Sequence, residues 1–320
     1  MWRGQTVVDG HADILHRMGI EGIDFYEVSA PLHQSYRRLT ESGVDLQVFV
    51  TFVEPNVSQG EQLYRVFAAL RRFRVEVERP GVVQAIRSAR DLRAMVRALA
   101  AGEHQLYALL SVEGADALGG ELGVLDAWFA LGVRVIGLTW NPANCVADGV
   151  GEPRGGGLTA FGRQVVARME QLGMLVDVSH LSAQGVADVL EIVSGPVVAS
   201  HSNAAAVHPH RRNLTDDQVR AIAAGGGLVG VTFVPEFLGQ GKVTSADVLR
   251  HLDRLLELAG PDHVGLGSDF DGIESTPQDL RTGSDYPRLL EQIHARYGDA
   301  VASRVSGGNW LRILAQVLPE

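Results

Sequence analysis

A (β/α)8 barrel is the fold that this sequence predicts, on two observations. Short apolar, β-branched runs alternate with helical patterns along the chain, and polar side chains stand at the C-terminal ends of several of those runs. Buried apolar strands alternating with helices indicate a parallel sheet, and strand C-termini are where such a barrel keeps its chemistry. The 320 residues suffice for a barrel of about 250 residues with insertions.

The strand candidates are 6–9, 45–53, 105–112, 133–139, 174–179, 196–200, 227–233 and 264–268. Apolar positions at helical spacing predict helices over 31–42, 60–78, 90–101, 121–131, 158–172, 182–193, 215–224, 245–259 and 285–297, with a terminal helical segment over 299–317. Thr215 with Gln218 three residues on has the capping-box pattern, and Gly173, Gly225 and Gly260 stand at C-cap positions. The long 53–105 interval calls for two helices after the second strand, and the Gly-rich 148–157 segment for a loop over the barrel mouth. With no linker or low-complexity tract, residues 1–320 read as a single domain.

Composition narrows the function. A formal charge of −10 disfavours nucleic acid or an anionic membrane surface as partner. Cys145 is the single cysteine, which rules out an intrachain disulfide and a cysteine metal cage. The first strand is expected by about Thr6, which leaves no room for a signal sequence, although a mature secreted form with its signal removed would look the same; no apolar run reaches the roughly 18 residues of a membrane span. A cytoplasmic protein without a membrane anchor is expected, with a homodimer as its assembly.

The first strand runs from Val7-Val8 into Asp9-Gly10-His11-Ala12-Asp13. Residues two apart on a strand share a face, so His11 and Asp13 can aim an imidazole and a carboxylate at one point. Glu113 ends the third strand, His180 the fifth, His201 the sixth and Asp269 the eighth. Singly, such a histidine is more often a loop residue, and Glu113 more often a helix cap. Jointly placed, they form a ligand set suited to zinc or a similar metal. His11, Asp13, Glu113, His180 and His201 could hold two divalent ions about 3.5–4 Å apart, with a hydroxide between them. A lysine-borne bridge is closed off because the only lysine, Lys242, follows the seventh strand, so Glu113 is the bridge candidate. His16, His33, His104, His251, His263 and His294 lie outside this pattern and read as core or surface residues. His208 and His210 fall on a loop after the sixth strand.

Several blocks carry a family resemblance: Val112-Glu113-Gly114, Leu138-Thr139-Trp140-Asn141, Asp177-Val178-Ser179-His180, Ser200-His201-Ser202-Asn203-Ala204, Arg211-Arg212-Asn213-Leu214 and Gly267-Ser268-Asp269-Phe270-Asp271-Gly272. In this order, and over essentially the whole chain, they resemble the membrane (renal) dipeptidase family of zinc metallopeptidases. The resemblance implies two zinc ions per chain and hydrolysis of dipeptides. It implies that Asp269 shuttles the proton from the attacking water to the leaving amine, and that Arg212 pairs with the substrate's terminal carboxylate. Asp271 and Asn213 would support the site from behind. One departure concerns the histidine that mammalian members carry after the fourth-strand Leu-Thr pair: Trp140 stands there, as in bacterial relatives, leaving Asn141 or Asn144 to make its substrate contact. Substrates of another kind (N-acyl amino acids, lactams or lactones) stay open, as does a barrel used only for binding.

Overall fold

The computed structural model describes residues 5–320. Eight parallel strands follow one another around the barrel: β1 (Val8–Ala12), β2 (Leu46–Phe52), β4 (Leu106–Glu113), β5 (Val133–Gly137), β6 (Leu175–Asp177), β7 (Val198–Ala199), β8 (Leu228–Val231) and β9 (Val264–Leu266). A short strand, β3 (Val83–Ala85), pairs with β4 outside the ring. The ring closes at its mouth, where Asp269 N donates to His11 O at 3.0 Å and Asp13 N to Phe270 O at 2.9 Å.

Strands buried on both faces explain their near-continuous apolar sequences. On β4, Tyr107 and Leu109 pack in one buried cluster with Leu46, Val48 and Val50, whereas Ala108, Leu110 and Val112 join the other. Glu113 has the parity of Tyr107 and Leu109, which turns its carboxylate to the same side of the sheet. Trp310, on the helix Asn309–Val317, packs in the first of these clusters and donates Nε1–H to Leu266 O at 3.0 Å. Gly10 leaves room for it, because a Cβ there would lie 1.9 Å from the indole.

The helices match the sequence expectation closely in places, with 245–259 found as Ser245–Ala259 and 182–193 as Ala183–Ile192. Thr215 and Gln218 form the predicted capping box, and Gly173 caps its helix in the left-handed conformation at φ 71°. Gly225 is also the C-cap of its helix, at φ −77°, and Gly226 takes the left-handed turn. The first strand is displaced from 6–9 to Val8–Ala12, which puts His11 within it. Pro31 and the Ser35 cap delay the 31–42 helix to Tyr36–Ser42, and a helix over Ile14–Glu21 appears that the spacing did not predict.

Candidate metal centre and substrate cleft

The five predicted ligands meet at the barrel mouth, all buried. Glu113 Oε1 lies 2.9 Å from His180 Nε2, 3.5 Å from His201 Nε2 and 3.8 Å from His11 Nε2. His11 Nε2 is 3.6 Å from Asp13 Oδ2, and the Nε2 atoms of His180 and His201 are 3.0 Å apart. Two triads have ligand atoms within 4.8 Å of one another, His11-Asp13-Glu113 and Glu113-His180-His201, sharing Glu113. Asp269 forms a third such group with His11 and His201.

The backbone delivers these groups in an unusual way. His180, Asp269 and Asp271 have φ of 66°, 63° and 66°. Left-handed backbone outside glycine costs roughly 1–3 kcal/mol per residue and gathers where the fold must aim a side chain. Gly272 gives the carboxylates space: a Cβ there would meet Asp13 Oδ2 at 2.2 Å and Asp269 Oδ1 at 2.6 Å.

Each histidine is held through its Nδ1. His11 Nδ1 lies 3.0 Å and His201 Nδ1 2.8 Å from Ser200 Oγ, while His180 Nδ1 lies 2.9 Å from Asn141 Oδ1. That leaves three Nε2 atoms facing one carboxylate oxygen, the outer-partner pattern that orients metal-binding imidazoles.

Electrostatics test whether cations fit here. His11 Nε2, Asp13 Oδ1 and Glu113 Oε1 are buried with no hydrogen-bond partner, and a buried unpaired polar group is costly. Burial raises the carboxyl pKa of Glu113, and raises that of Asp269 well above its usual range, with Asp13 and Glu113 adding to the second. Burial lowers the His11 pKa, but Asp13, Glu113 and Asp269 outweigh it and lift it to about 10, a sign of strongly negative potential. Burial, with Arg212 and His11 nearby, pushes His180 and His201 well below 6.5, towards the neutral form that binds metals. Unpaired acceptors, negative potential and neutral imidazoles all fit divalent cations.

A cleft of about 310 Å³ opens beside these atoms, lined by Asp13, Glu113, His180, Trp140, Asn141 and Asp269 among others. Trp140 stands 5.2 Å from Phe52 and 6.1 Å from His180, ring centre to ring centre. His180 also lines a second cavity, of about 430 Å³, together with Arg212. Arg212 is 4 % exposed; its Nη2 donates to His201 O at 3.2 Å, and its Nε is buried without a partner. Its guanidinium carbon sits 5.4 Å from the centre of the Phe237 ring, which His210 stacks on at 4.5 Å.

The supporting residues divide. Asp271 accepts from His33 N at 2.6 Å and Gln34 N at 3.0 Å, and Asn213 Nδ2 donates to His208 O and Phe237 O, both at 2.8 Å. Asn144 is committed elsewhere: its Nδ2 donates to Asp116 Oδ2 and Leu138 O, and its Oδ1 accepts from Val146 N and Ala147 N. The Gly-rich loop is stitched to the mouth by Val150 N to His180 O at 2.7 Å and Gly151 N to Asn141 O at 2.8 Å. Sequence reading missed His16, which lines the cleft one helical turn after Asp13, and the i, i+3 spacing could have revealed it. It also passed over Asp9, whose buried carboxylate accepts from Ser268 N at 2.8 Å and Ser268 Oγ at 2.7 Å and so ties β1 to the end of β9.

The model of the family described as membrane dipeptidase (peptidase family M19) matches residues 2–318. A dipeptidase of Aspergillus oryzae is 38 % identical over 221 residues, a stretch covering 67 % of this chain and 52 % of that protein, about half its length. Among solved structures, a dipeptidase AC described as a metallopeptidase of family M19 superposes with a TM-score of 0.90 at 29 % identity, covering 99 % of this chain and 100 % of that one. A metallopeptidase from Rhodobacter sphaeroides, bound to a phosphinate mimic of the dipeptide L-Ala-D-Ala, gives a TM-score of 0.88 at 28 % identity, with 98 % and 99 % covered. Among the described residues, no helix is long and apolar enough to cross a membrane. The chain belongs to the membrane dipeptidase family, peptidase family M19, a family of metallo-dipeptidases.

Proposed function

We propose that this protein hydrolyses the peptide bond of dipeptides at a centre of two zinc ions, one held by His11, Asp13 and Glu113 and the other by Glu113, His180 and His201. The observation that carries this reading is the convergence of three Nε2 atoms on one Glu113 oxygen, beside an Asp13 Oδ1 that has no hydrogen-bond partner. Bound there, the ions would polarise the scissile carbonyl and lower the pKa of water towards about 7.

The chain's own residues do the rest. Arg212 takes the substrate's terminal carboxylate; its buried Nε without a partner supports this role. The two cavities meeting at His180 would receive the two ends of the substrate, with Trp140 and Asn141 lining the side away from Arg212. Asn141 also fixes the His180 ring. Asp269, which lies beside Asp13 and is grouped with His11 and His201, takes the proton from the attacking water and hands it to the leaving amine. The L-Ala-D-Ala mimic on the Rhodobacter sphaeroides relative makes small dipeptides, of both L,L and L,D configuration, the first substrates to try.

The test compares zinc-loaded wild type and Arg212→Ala on dipeptides, their C-terminal amides and N-acyl amino acids. Free dipeptides should be hydrolysed, and kcat/KM should fall about 30-fold or more in the variant, the cost of removing one partner of a buried charge pair. The amides should lose far less. Equal losses on free and amidated substrates would contradict the role of Arg212, and turnover of N-acyl amino acids alone would replace dipeptides as the substrate.

A further inference from the structure

Ser200 lies behind the centre, 1 % exposed, and its Oγ meets three polar atoms: His11 Nδ1 at 3.0 Å, His201 Nδ1 at 2.8 Å and Asp177 Oδ2. A hydroxyl has one proton to donate and two lone pairs to accept with. Asp177 is placed as an acceptor. Its Oδ1 takes the backbone N–H of Ser179 at 2.9 Å and of Ser200 at 3.0 Å, and its Oδ2 takes the hydroxyl proton. With that proton committed, Ser200 Oγ can only accept from the two imidazoles. Both Nδ1 atoms must then carry hydrogen, and each ring, once neutral, offers Nε2 to the centre.

We propose that Ser200 and Asp177 are positioning residues that fix the tautomers of His11 and His201 together, through one shared hydroxyl. His11 lies in β1 and His201 directly follows Ser200 at the end of β7, so one oxygen couples two strands that are not neighbours in the ring. The His11 and His201 rings, 3.8 Å apart centre to centre, are thereby set as a pair. The consequence for zinc rests on the metal-binding reading above; the tautomers themselves do not.

Asp177→Asn separates this role from packing. The amide NH2 would donate to Ser200 Oγ, so the hydroxyl proton must go to one imidazole, which then loses its Nδ1 hydrogen. ¹⁵N-histidine NMR on the 320-residue chain, metal-free and zinc-loaded, reads that hydrogen directly, and competition against a chromophoric chelator reads zinc affinity. Wild type should show hydrogen on both Nδ1 atoms. Ser200→Ala should weaken zinc about 10–100-fold, as loss of such outer partners does. Asp177→Asn should weaken it further and remove one Nδ1 hydrogen, and adding Ser200→Ala to it should return affinity to the Ser200→Ala level. Should Asp177→Asn not fold, Ser200→Ala decides alone: its affinity must fall and the Nδ1 hydrogen of His201 must become mixed in the metal-free chain. Unchanged tautomers and affinity in the folded variants would overturn the proposal. Wild type with both Nδ1 hydrogens but no zinc binding would uphold the tautomer assignment and overturn the metal reading instead.

Discussion

Asp269 is the residue at which two roles compete. It lies near enough to His11 and His201 to count as a third ligand group, yet it is outside the two triads that share Glu113. As proton shuttle it needs ionisation that can reverse during turnover; burial beside Asp13 and Glu113 favours its protonated form, and bound cations would oppose that. Asp269→Asn keeps size and hydrogen bonding but cannot carry the proton. We expect kcat to fall about 10²–10⁴-fold with two metals retained. Metal analysis that finds one ion missing from Asp269→Asn would make it a ligand. The residue scale is also where sequence was most informative: the five predicted ligands do converge, because a ligand must sit at a strand end and that placement is visible as a polar residue closing an apolar run. Roles were harder to read. Asn144 looked available beside Trp140, but its amide is spent on its own loop, and such local bonds leave no periodic trace.

Among the elements, β1 carries the most demands. It brings His11 to the mouth, receives Asp269 through the His11 carbonyl, and passes over Trp310 at Gly10. Gly10→Ala would place a methyl 1.9 Å from a fully buried indole. Overpacking of this kind typically costs 1–3 kcal/mol, so a denaturant titration should show a loss of about 1–3 kcal/mol or more. Unchanged stability would mean that the indole moves freely. Gly272→Ala makes the contrasting case, because its methyl would press on Asp13 and Asp269 rather than on the core. Activity should fall more than stability. Strand identity was legible for all eight ring strands, but β3 was not. Three residues inside the 53–105 interval give too short a pattern to separate from the helices around it. The helix over Ile14–Glu21 was hidden for a related reason: it starts directly after Asp13, without a side-chain cap to announce it.

For the whole molecule, the parallel ring exists to hold groups from distant parts of the sequence at one rim. His11 and Ser268 lie 257 positions apart, yet Ser268 Oγ is 3.2 Å from the His11 carbonyl. Concentrating buried carboxylates there works against folding unless a cation binds the native state and not the unfolded chain. At a free zinc concentration about 100 times Kd, such binding adds about 2.7 kcal/mol. Chelation should therefore lower Tm by several degrees, and zinc should restore it. A Tm indifferent to chelator would show that the carboxylate cluster is stable without metal.

The proposed bridging role of Glu113 is the central claim about this site, and anomalous diffraction from zinc-loaded crystals tests it most directly. We expect two zinc peaks per chain, with the Glu113 carboxylate touching both, His11 and Asp13 on one ion, and His180 and His201 on the other. A single peak, or a Glu113 side chain turned away from the metals, would contradict it.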